Sequence, residues 1–435
     1  MRKCRRSVVT GILFLSVFAN GAYGEVLTLA EGMRLAVENN RTIKVAQQQE
    51  NISQADSYIA KSFLLPSVNA SASQTFLAYE PRAIFDSLIA PTSERSFVSY
   101  SLRVQQLLYD FQGNVSKYRA SLSVLDTRKL DTLRVRNQVS LDFAVAYFDL
   151  LESEKLMQVA EKEVESVQGH LRDATNLYEN GVITKNDLLQ AEVRLSDAQQ
   201  KLLNVQNVRA INASRLNTVL ARPLTTEVRV MDITEAPTEY LILEREKAWE
   251  TALERRPEMR IVDENMRSLN FEEASRKSEY YPRFFAEASY DYAENRFMLH
   301  QGNASILLEM TVNLFSGGST RAEVVKIGHQ KEQLQEQRAR LADEIRLEVE
   351  KDIFDLRNAI DRIKVTKDAA GQAEENLRIN RVRYEEGVGT ATEVLDAVTL
   401  LTVAETNYYR SLYDMRRAEC AALYAIGRNL SEVYK

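Results

Sequence analysis

An internal duplication constrains this chain more than any other feature. The stretch LYENGVITKNDLLQAEVRL, from position 177, has a counterpart 206 positions later, RYEEGVGTATEVLDAVTLL. Upstream, AVENNRTIKV from position 36 matches ALERRPEMRI from position 252, an offset of 216. Between these landmarks, Phe111-x-Gly113 matches Phe315-x-Gly317 at an offset of 204. Because the same landmarks occur twice in the same order, the chain is predicted to fold as two similar halves.

Both halves are predicted to consist mainly of very long helices. The seven prolines stand at positions 66, 81, 91, 223, 237, 257 and 282, so none falls within 92–222 or after 282. These two tracts are rich in alanine, leucine, glutamate, glutamine, lysine and arginine, all of which favour helix. A continuous helix from Asn114 to Tyr178 would be roughly 100 Å long.

Two pairs of alternating segments precede the long helices. Val98, Tyr100 and Leu102 alternate with serines, and similar alternation begins at Arg283 and at Ser305. This pattern predicts strands with one apolar and one polar face. Runs of about ten residues suit tilted membrane-spanning strands, although a soluble antiparallel sheet alternates in the same way. Aromatic residues near the strand ends favour the membrane: Phe76, Tyr79, Phe97, Tyr109, Phe284, Tyr290 and Tyr292.

Four strands raise a problem of closure. The smallest transmembrane barrels have about eight strands, and an open sheet edge is not tolerated in lipid. Either another part of the chain supplies further strands, or several protomers share one barrel. Three protomers would give about twelve strands, a size that occurs in outer membranes.

The first 24 residues have the pattern of a secretory signal. Four basic residues within 1–6 precede a mostly apolar run, and small residues at 22–24 suit cleavage. Without this signal the chain has 52 basic and 62 acidic residues, a formal net charge of −10. That charge argues against a nucleic-acid partner. Cys4 lies in the signal, so only Cys420 remains and no internal disulfide is predicted.

The offsets divide the rest of the chain into two repeats and a linker. The first repeat, 25–221, is predicted to contain a helix, a strand pair (67–108), a long helix (112–178), a tip (180–185) and a return helix. Residues 222–242 form the linker. The second repeat, 243–435, has a helix, a strand pair (283–314), a long helix (319–386), a tip (387–391), a return helix and a C-terminal segment.

The duplicated stretch predicts a helix end followed at once by a helix start. Gly181 and Gly387 suit the left-handed position that ends a helix. Three residues later, each stretch has the pattern of a capping box, T-x-x-D or T-x-x-E. The residues are Thr184 with Asp187 and Thr390 with Glu393. We therefore predict a tight helical hairpin tip in each repeat, at the end farthest from the strands.

The chain resembles the TolC family of outer-membrane efflux and type I secretion channels. The resemblance covers essentially the whole mature chain. It rests on the order of elements, the duplication, LYDFQG and NLFSGG after each strand pair, and G-V-x-T…(E/D)-x-L at both tips. It implies a mixed, mainly α fold. Three protomers would share a transmembrane β-barrel, four strands from each, that continues into a long periplasmic α-helical barrel. Residues 222–256 and the C-terminus would form an equatorial region around it, which makes 222–242 an equatorial linker.

The resemblance also implies a function. The protein would be the exit duct of a tripartite efflux or type I secretion system, gated at its periplasmic helical tip. It would conduct substrates passively from an inner-membrane pump (of ABC, RND or MFS type) and a periplasmic adaptor, or membrane fusion, protein. It is expected in the outer membrane of a Gram-negative bacterium, in contact with lipid and with a large periplasmic portion. The alternative is an exported coiled-coil scaffold or adaptor-like structural protein without a pore.

In the TolC family the tips meet the adaptor. The corresponding residues here are Gly181, Val182, Ile183 and Thr184 on the first tip and Gly387, Val388, Gly389 and Thr390 on the second. These residues also suit the turn itself, and both roles are expected. An exposed Val-Ile pair is unusual at a tip without a partner.

Acidic residues near the second tip are candidates for the channel aperture. Glu393 and Asp396 are three residues apart and therefore face the same way on a helix. In the family, acidic residues at such positions line the periplasmic entrance and make it cation-selective. Threefold symmetry would turn each into a ring of three carboxylates. Glu393 is equally explained as a capping residue, whereas Asp396 has no capping role.

Tyr384 and Asp187 match family positions that help to hold the entrance closed through links between helices. The arginine that is their partner in the family is missing, because Gly389 occupies its place. Lys185, on the first tip, is the available substitute. The closing link is therefore expected to differ from the family pattern.

No catalytic signature accompanies these features. His170, His300 and His329 are scattered, there is no G-x-S-x-G or phosphate-binding loop, and the single mature cysteine has no metal-type neighbours. His170 and His329 lie in long helical tracts and are expected to be ordinary surface residues. The chain is predicted not to be an enzyme and to need no cofactor or metal.

Overall fold

The computed structural model describes residues 26–86, 88–232 and 244–434. The predicted signal, 1–24, and much of the predicted equatorial linker, 233–242, lie outside the described residues. Within them, no helix combines the length and the apolar character needed to cross a membrane. The described part of the chain is mainly helical, as predicted.

The two repeats match helix for helix, which confirms the duplication. Four pairs of helices have equal lengths: α1 (Leu29–Asn39) and α5 (Arg245–Arg255) with 11 residues, α2 (Arg41–Ser62) and α6 (Pro257–Ser278) with 22, α3 (Gly113–Glu179) and α7 (Ser319–Glu385) with 67, and α4 (Lys185–Val219) and α8 (Ala391–Ala425) with 35. A short helix, α9 (Leu430–Val433), follows near the C-terminus. The tips are therefore residues 180–184 and 386–390.

The structure corrects one register of the duplication. The pair of residues with left-handed backbone angles before α3 is Phe111 and Gln112, and before α7 it is Gly317 and Gly318. Phe111 is therefore equivalent to Gly317, and the match of Phe111 with Phe315 was wrong. The offset is 206 along all of α3 and α7. The turn is defined by its two left-handed residues, and the identity of the phenylalanine does not fix its position.

Side-chain contacts at the start of these helices agree with the corrected register. Asp110 Oδ2 accepts a hydrogen bond from the Asn114 N–H at 2.7 Å, before the second turn of α3. The equivalent hydroxyls of Ser316 and Thr320 lie 3.3 Å apart at the start of α7. The backbone repeats as well, since the Gly113 N–H bonds to the Asp110 carbonyl at 3.0 Å and the Ser319 N–H to the Ser316 carbonyl at 3.2 Å.

The strands form one main sheet and two small ones. In chain order they are β1 (Val26–Leu27), β2 (Ser67–Phe76), β3 (Arg82–Phe85), β4 (Leu88–Pro91), β5 (Ser96–Tyr109), β6 (Arg229–Val230), β7 (Arg283–Ala293) and β8 (Gly302–Thr311). The main sheet is antiparallel, in the order β2-β5-β7-β8. β3 and β4 form a hairpin within the longer connection of the first repeat. β1 and β6 pair in parallel beside the long helices.

The main sheet has one polar and one apolar face, as the alternation predicts. On the polar face the hydroxyls of Ser71 and Ser101 lie 2.8 Å apart, and Arg103 pairs with Glu287 at 2.9 Å. The opposite face carries large exposed apolar side chains: Val68, Tyr100, Leu102, Tyr290, Ile306, Leu308 and Met310. An apolar outer face against a hydrogen-bonded polar face is typical of strands that separate lipid from water.

Each repeat forms a long helical hairpin, and the end of its return helix lies beside the start of the 22-residue helix of the same repeat, α2 or α6. At the end of α4, the Asn40 amide donates to the Val219 carbonyl at 2.9 Å. The side-chain oxygen of Asn40, Oδ1, accepts from the Thr42 N–H at 2.8 Å. One side chain therefore caps both the end of α4 and the start of α2. Both α2 and α4 pack on α3. Together they cover most of its length, from the tip to the sheet.

A central core lies around the middle of the long helices. It is formed where α1, α5, α9 and the paired strands β1 and β6 pack on them. Its buried centre includes Phe143, Tyr147, Leu150 and Tyr413. The Tyr147 hydroxyl lies 2.6 Å from the Met231 carbonyl and accepts from the Met231 N–H at 3.1 Å. Burial raises the pKa of Tyr147, so this hydroxyl stays protonated and holds the β6 side of the core to α3.

Replacing Ala221 with glycine is expected to stabilise the protein by about 0.5–1 kcal/mol. Ala221 has a left-handed backbone (φ 56°) at the end of α4, where glycine is favoured. The measurement is the midpoint temperature of unfolding in detergent, which should rise. As a matched control, Gly427→Ala at the equivalent position (φ 76°) should lower it, because the new Cβ would lie 2.9 Å from the Arg255 Cβ. An unchanged or lower midpoint for Ala221→Gly would contradict this account.

Candidate functional site

The two tips have the same turn, built as the duplicated stretch predicts. Gly181 and Gly387 have left-handed backbones, with φ of 71° and 73°. In the first tip, the Val182 N–H bonds to the Leu177 carbonyl at 2.8 Å and the Gly181 N–H to the Tyr178 carbonyl at 3.0 Å. The second tip repeats both bonds. This pair of bonds is a Schellman motif, which satisfies the last carbonyls of the long helix.

The next helix starts in both tips with the predicted capping box. Thr184 N–H and hydroxyl donate to the Asp187 carboxylate at 3.0 and 2.7 Å. The Thr390 N–H donates to Glu393 at 3.0 Å, and the Glu393 N–H donates back to the Thr390 hydroxyl at 3.2 Å. The bonds from Thr184 hold the pKa of Asp187 below its usual range. Both return helices therefore start from a rigid turn.

Each rigid turn presents one large apolar side chain to solvent. Val182 is 67% exposed and Val388 is 70% exposed, whereas Ile183 is half-buried. Behind them a small tip cluster holds the helices together, and its buried members are Val167, Leu377, Val394, Leu395, Ala397 and Val398. Each tip therefore combines a fixed turn, an exposed valine and a packed base.

Gly389 has a structural reason to be glycine. A Cβ at this position would lie 3.0 Å from the Tyr384 backbone nitrogen and 3.1 Å from the Arg383 carbonyl carbon. The Gly389 N–H also bonds to the Arg383 carbonyl at 2.9 Å. A side chain in this place would require the backbone of the turn to shift by a few tenths of an ångström.

The two candidate aperture acids have different surroundings. Glu393 is used in the capping box and lies 3.9 Å from the Arg383 guanidinium. Asp396 is one turn further along α8, with 65% of its side chain exposed, and lies 3.8 Å from Arg194 of α4. Arg194 is not among the residues predicted from the sequence. Its ion pair with Asp396 links the second hairpin to the first.

Tyr384 and Asp187 are not joined by a hydrogen bond within the described chain. Asp187 is bonded to Thr184, and the half-buried Tyr384 hydroxyl has no hydrogen-bond partner among the described residues. Burial raises the pKa of Tyr384, and the charges of Asp173 and Asp187 raise it further. The two predicted latch residues are near enough for the charge of Asp187 to affect Tyr384, but they do not bond to each other. Asp187 is engaged by Thr184, and the Tyr384 hydroxyl has no partner among the described residues.

His170 is buried, so its assignment as a surface residue was wrong. It is 5% exposed, its ring centre lies 5.3 Å from that of Tyr384, and its Nε2 has no partner in the described part of the chain. Burial lowers the pKa of His170; Asp173 opposes this shift and Arg381 adds to it. A signal was present in the sequence, because Val167, His170 and Ala174 continue one buried stripe at helical spacing.

These features define a class of protein. In the part of the chain that the structure describes, one end of the protomer is a small sheet with an apolar face and two edges that no strand pairs with. The other end is a pair of hairpin tips at the end of helices roughly 100 Å long. This is the architecture of an outer-membrane channel protein with a long periplasmic portion. The chain belongs to the outer membrane efflux protein family, whose sequence model matches residues 33–222 and 248–428, one stretch in each repeat.

Curated relatives are similar over most of the chain. The outer membrane efflux protein BepC of Brucella suis biovar 1 is 23% identical over 98% of this chain and 91% of its own length. The alkaline protease secretion protein AprF of Pseudomonas aeruginosa is 22% identical over 73% of this chain and 67% of its own. Relatives of both kinds, efflux and secretion, decide against a scaffold without a pore.

Solved structures have the same fold. The outer membrane protein VceC of Vibrio cholerae superposes with a TM-score of 0.79 at 17% identity, over 92% of this chain and 96% of that one. The CmeC outer membrane channel of Campylobacter jejuni gives a TM-score of 0.79 at 16% identity, over 92% and 85%. The protomer fold predicted from the sequence is therefore confirmed.

The tips are expected to loosen as the pH falls below about 6.5, the ordinary pKa of histidine. The folded pKa of His170 is lowered, so its neutral form stabilises the fold above the unfolded pKa, and this stability is lost as the pH falls through the folded pKa. The measurement is amide exchange around residues 165–175 and 380–386, corrected for the intrinsic effect of pH.

Two variants separate this effect from general acid sensitivity. His170→Gln should remove the pH-dependent part of the exchange. His329→Gln should leave it in place, because the His329 side chain is 74% exposed on α7. If amide exchange depends equally on pH in the unmodified protein and in both variants, His170 is not the responsible group.

Proposed function

We propose that three copies of the chain form the exit duct of a tripartite efflux or type I secretion system. The main support is the hydrogen bonding of the main sheet. In the described residues, the edge strands β2 and β8 are each paired on one side only, and one face of the sheet is apolar. Open edges cannot remain unpaired in lipid. Three copies with four strands each give a barrel of about twelve strands, within the range of outer-membrane barrels.

The duct is passive and is not an enzyme. Its periplasmic part receives substrate from a periplasmic adaptor and an inner-membrane pump of ABC, RND or MFS type, which supplies the energy. The mature net charge of −10 fits a duct for small molecules or exported proteins and not a nucleic-acid binder. Efflux and protein secretion remain equal candidates, since relatives of both kinds match the chain.

The tips dock the adaptor through their exposed turns. Residues Gly181–Thr184 and Gly387–Thr390 present rigid backbone and two exposed valines at the end farthest from the sheet. A rigid apolar surface binds at low entropic cost, because its conformation is already fixed before contact. The duplication gives each protomer two such docking points.

Introducing aspartate at both valines, Val182→Asp with Val388→Asp, is expected to reduce adaptor binding by about tenfold or more. The added charges would be desolvated at the contact without a partner. The measurement is the amount of adaptor-class protein cross-linked to the tips in cells. Leu88→Asp is the matched control, because Leu88 is 68% exposed in the hairpin at the other end of the protomer. Equal cross-linking in both variants would remove the tips as the docking surface.

The entrance is gated by charges at the same tips. The Asp396–Arg194 pair connects the two hairpins of a protomer, and three copies would place three such pairs around the entrance. An exposed pair contributes less than about 1 kcal/mol, so the link is weak enough to open when the adaptor binds. Asp396 then lines the opened entrance, and Glu393 remains a capping residue.

Single-channel recording in lipid bilayers tests this assignment through ion selectivity. Asp396→Asn should lower the preference for cations, whereas Arg194→Gln should raise both that preference and the conductance, because it releases Asp396. Arg34→Gln is the control, since Arg34 is also exposed and also pairs with an acidic side chain, Glu38, but lies on α1, far from the tips. Unchanged reversal potentials for both tip variants would show that these charges do not line the entrance.

The Tyr384–Asp187 latch is tested in the same recordings. Tyr384→Phe combined with Asp187→Asn should raise the conductance if these residues link neighbouring helices in the assembled entrance. An unchanged conductance would leave the Arg194–Asp396 pair as the closing contact.

A further inference from the structure

In the described residues, the row of strands and the row of helices beside it have no further strand or helix at either end. The sheet runs β2-β5-β7-β8, and the helices beside it run in the same order, with α2 against α3, α3 against α6, and α6 against α7. β8 and α7 are exposed at one end of this series, and β2 and α2 at the other. In an assembly of several copies, the last elements of one copy must meet the first elements of the next.

The chain contains a template for this contact. Inside the protomer, the end of the first repeat (β5 and α3) already pairs with the start of the second (β7 and α6). Equivalent residues are 206 positions apart from β5 onward and 216 apart from α1 to β2. Each internal β5–β7 pair therefore specifies a pair between β8 and β2 of the next copy.

We propose that β8 pairs with β2 of the next copy in the register of the internal β5–β7 pair, a proposal that rests on the shared barrel of the proposed function. Adding 206 to each β5 residue and subtracting 216 from its β7 partner gives the contacts between copies. The internal pair Tyr100–Tyr292 then corresponds to Ile306–Phe76, and Arg103–Ser289 corresponds to Glu309–Ser73. The full set over the central strand is Ile306–Phe76, Leu307–Thr75, Leu308–Gln74, Glu309–Ser73, Met310–Ala72 and Thr311–Ser71, the second member always from the next copy.

The polarity of both edges agrees with this register, although polarity was not used to derive it. Ile306, Leu308 and Met310 meet Phe76, Gln74 and Ala72 on the apolar face. Leu307, Glu309 and Thr311 meet Thr75, Ser73 and Ser71 on the polar face. Leu307 and Gln74 are the two exceptions among these twelve residues. A slip by one residue would place the exposed Leu308 and Met310 on the face of the serines, because side chains alternate strictly along a strand.

The same offsets also place compatible side chains opposite each other on the helices. Thr127 of α3 bonds to Asn265 of α6 at 3.1 Å, and the equivalent residues are Gln333 of α7 and Gln49 of the next copy, both exposed in one chain. The guanidinium of Arg119 lies over the Phe271 ring, and the equivalents are Val325 and Ala55. Val325 is 51% exposed, so an apolar contact would replace a cation–π contact and a pair of amides would replace Thr–Asn.

Paired cysteines test the register. Glu309→Cys with Ser73→Cys samples the polar face, and Met310→Cys with Ala72→Cys samples the apolar face. These two adjacent pairs also sample both hydrogen-bonding types of an antiparallel ladder. Directly opposed positions lie about 5 Å apart and suit a disulfide, whereas diagonal positions two residues away do not. Glu309→Cys with Ser71→Cys is therefore the control that differs only in register.

The expected result is that at least one matched pair gives covalent multimers after mild oxidation, about tenfold more than the control pair and the single-cysteine variants. The native mass of the same samples in mild detergent is measured in parallel. A trimer in which the control pair links better than both matched pairs would overturn the register and leave the shared duct intact. A monomer without any linking would overturn the register and the shared duct together.

Discussion

The pairing of β5 with β7 is the contact on which the rest of the protomer depends. It joins the last strand of the first repeat to the first strand of the second, and α3 packs against α6 beside it. Strand backbones in lipid must have every N–H and C=O bonded, so this pairing cannot be loose or partial. Once it is formed, alternation along each strand decides which face is apolar, and the four strands present one continuous outer surface.

The tips solve the same backbone problem at the other end of the helices. A helix that stops and restarts within five residues leaves carbonyls at one end and N–H groups at the other without helical partners. The Schellman bonds at the left-handed glycines engage carbonyls of the first set. In the second set, the Thr184 and Thr390 hydroxyls accept from the N–H groups of Asp187 and Glu393, whose carboxylates bond back to the threonine N–H groups. Asp396, the next acidic side chain along α8 after the capping Glu393, is not used in the turn and pairs with Arg194 of the other hairpin.

The two repeats reach the same architecture with different chemistry. At the junction of the return helix with the short helix, the first repeat uses the amide of Asn40. The second has the buried Arg256 at this place, which pairs with Glu258 at 3.0 Å, bonds to Glu348 and lies over the Tyr424 ring. A buried guanidinium is tolerable only with such partners. The junction geometry is therefore common to both repeats, while its energy comes from unrelated side chains.

Much of the fold and part of the site could be predicted from the sequence, because they depend on near neighbours. Helix extent follows from the absence of proline, the tips from glycine and the capping boxes, and the faces of the strands from alternation. Each of these signals acts within about four residues of the backbone it shapes. The exposed valines of the tips follow from the same local turn.

Contacts between distant parts of the chain were decided only by the tertiary structure. The burial of His170 against Tyr384 and the pairing of Arg194 with Asp396 both depend on how one helix is rotated against another helix some 200 residues away. A narrow apolar stripe on a 67-residue helix leaves that rotation open over most of its length. The sequence by itself determined the long helices, the two strand pairs and the place of the tips, whereas the small β1–β6 and β3–β4 pairs were not predicted. The packing of the two repeats decided which side chains face one another, because only the folded chain brings those surfaces into contact.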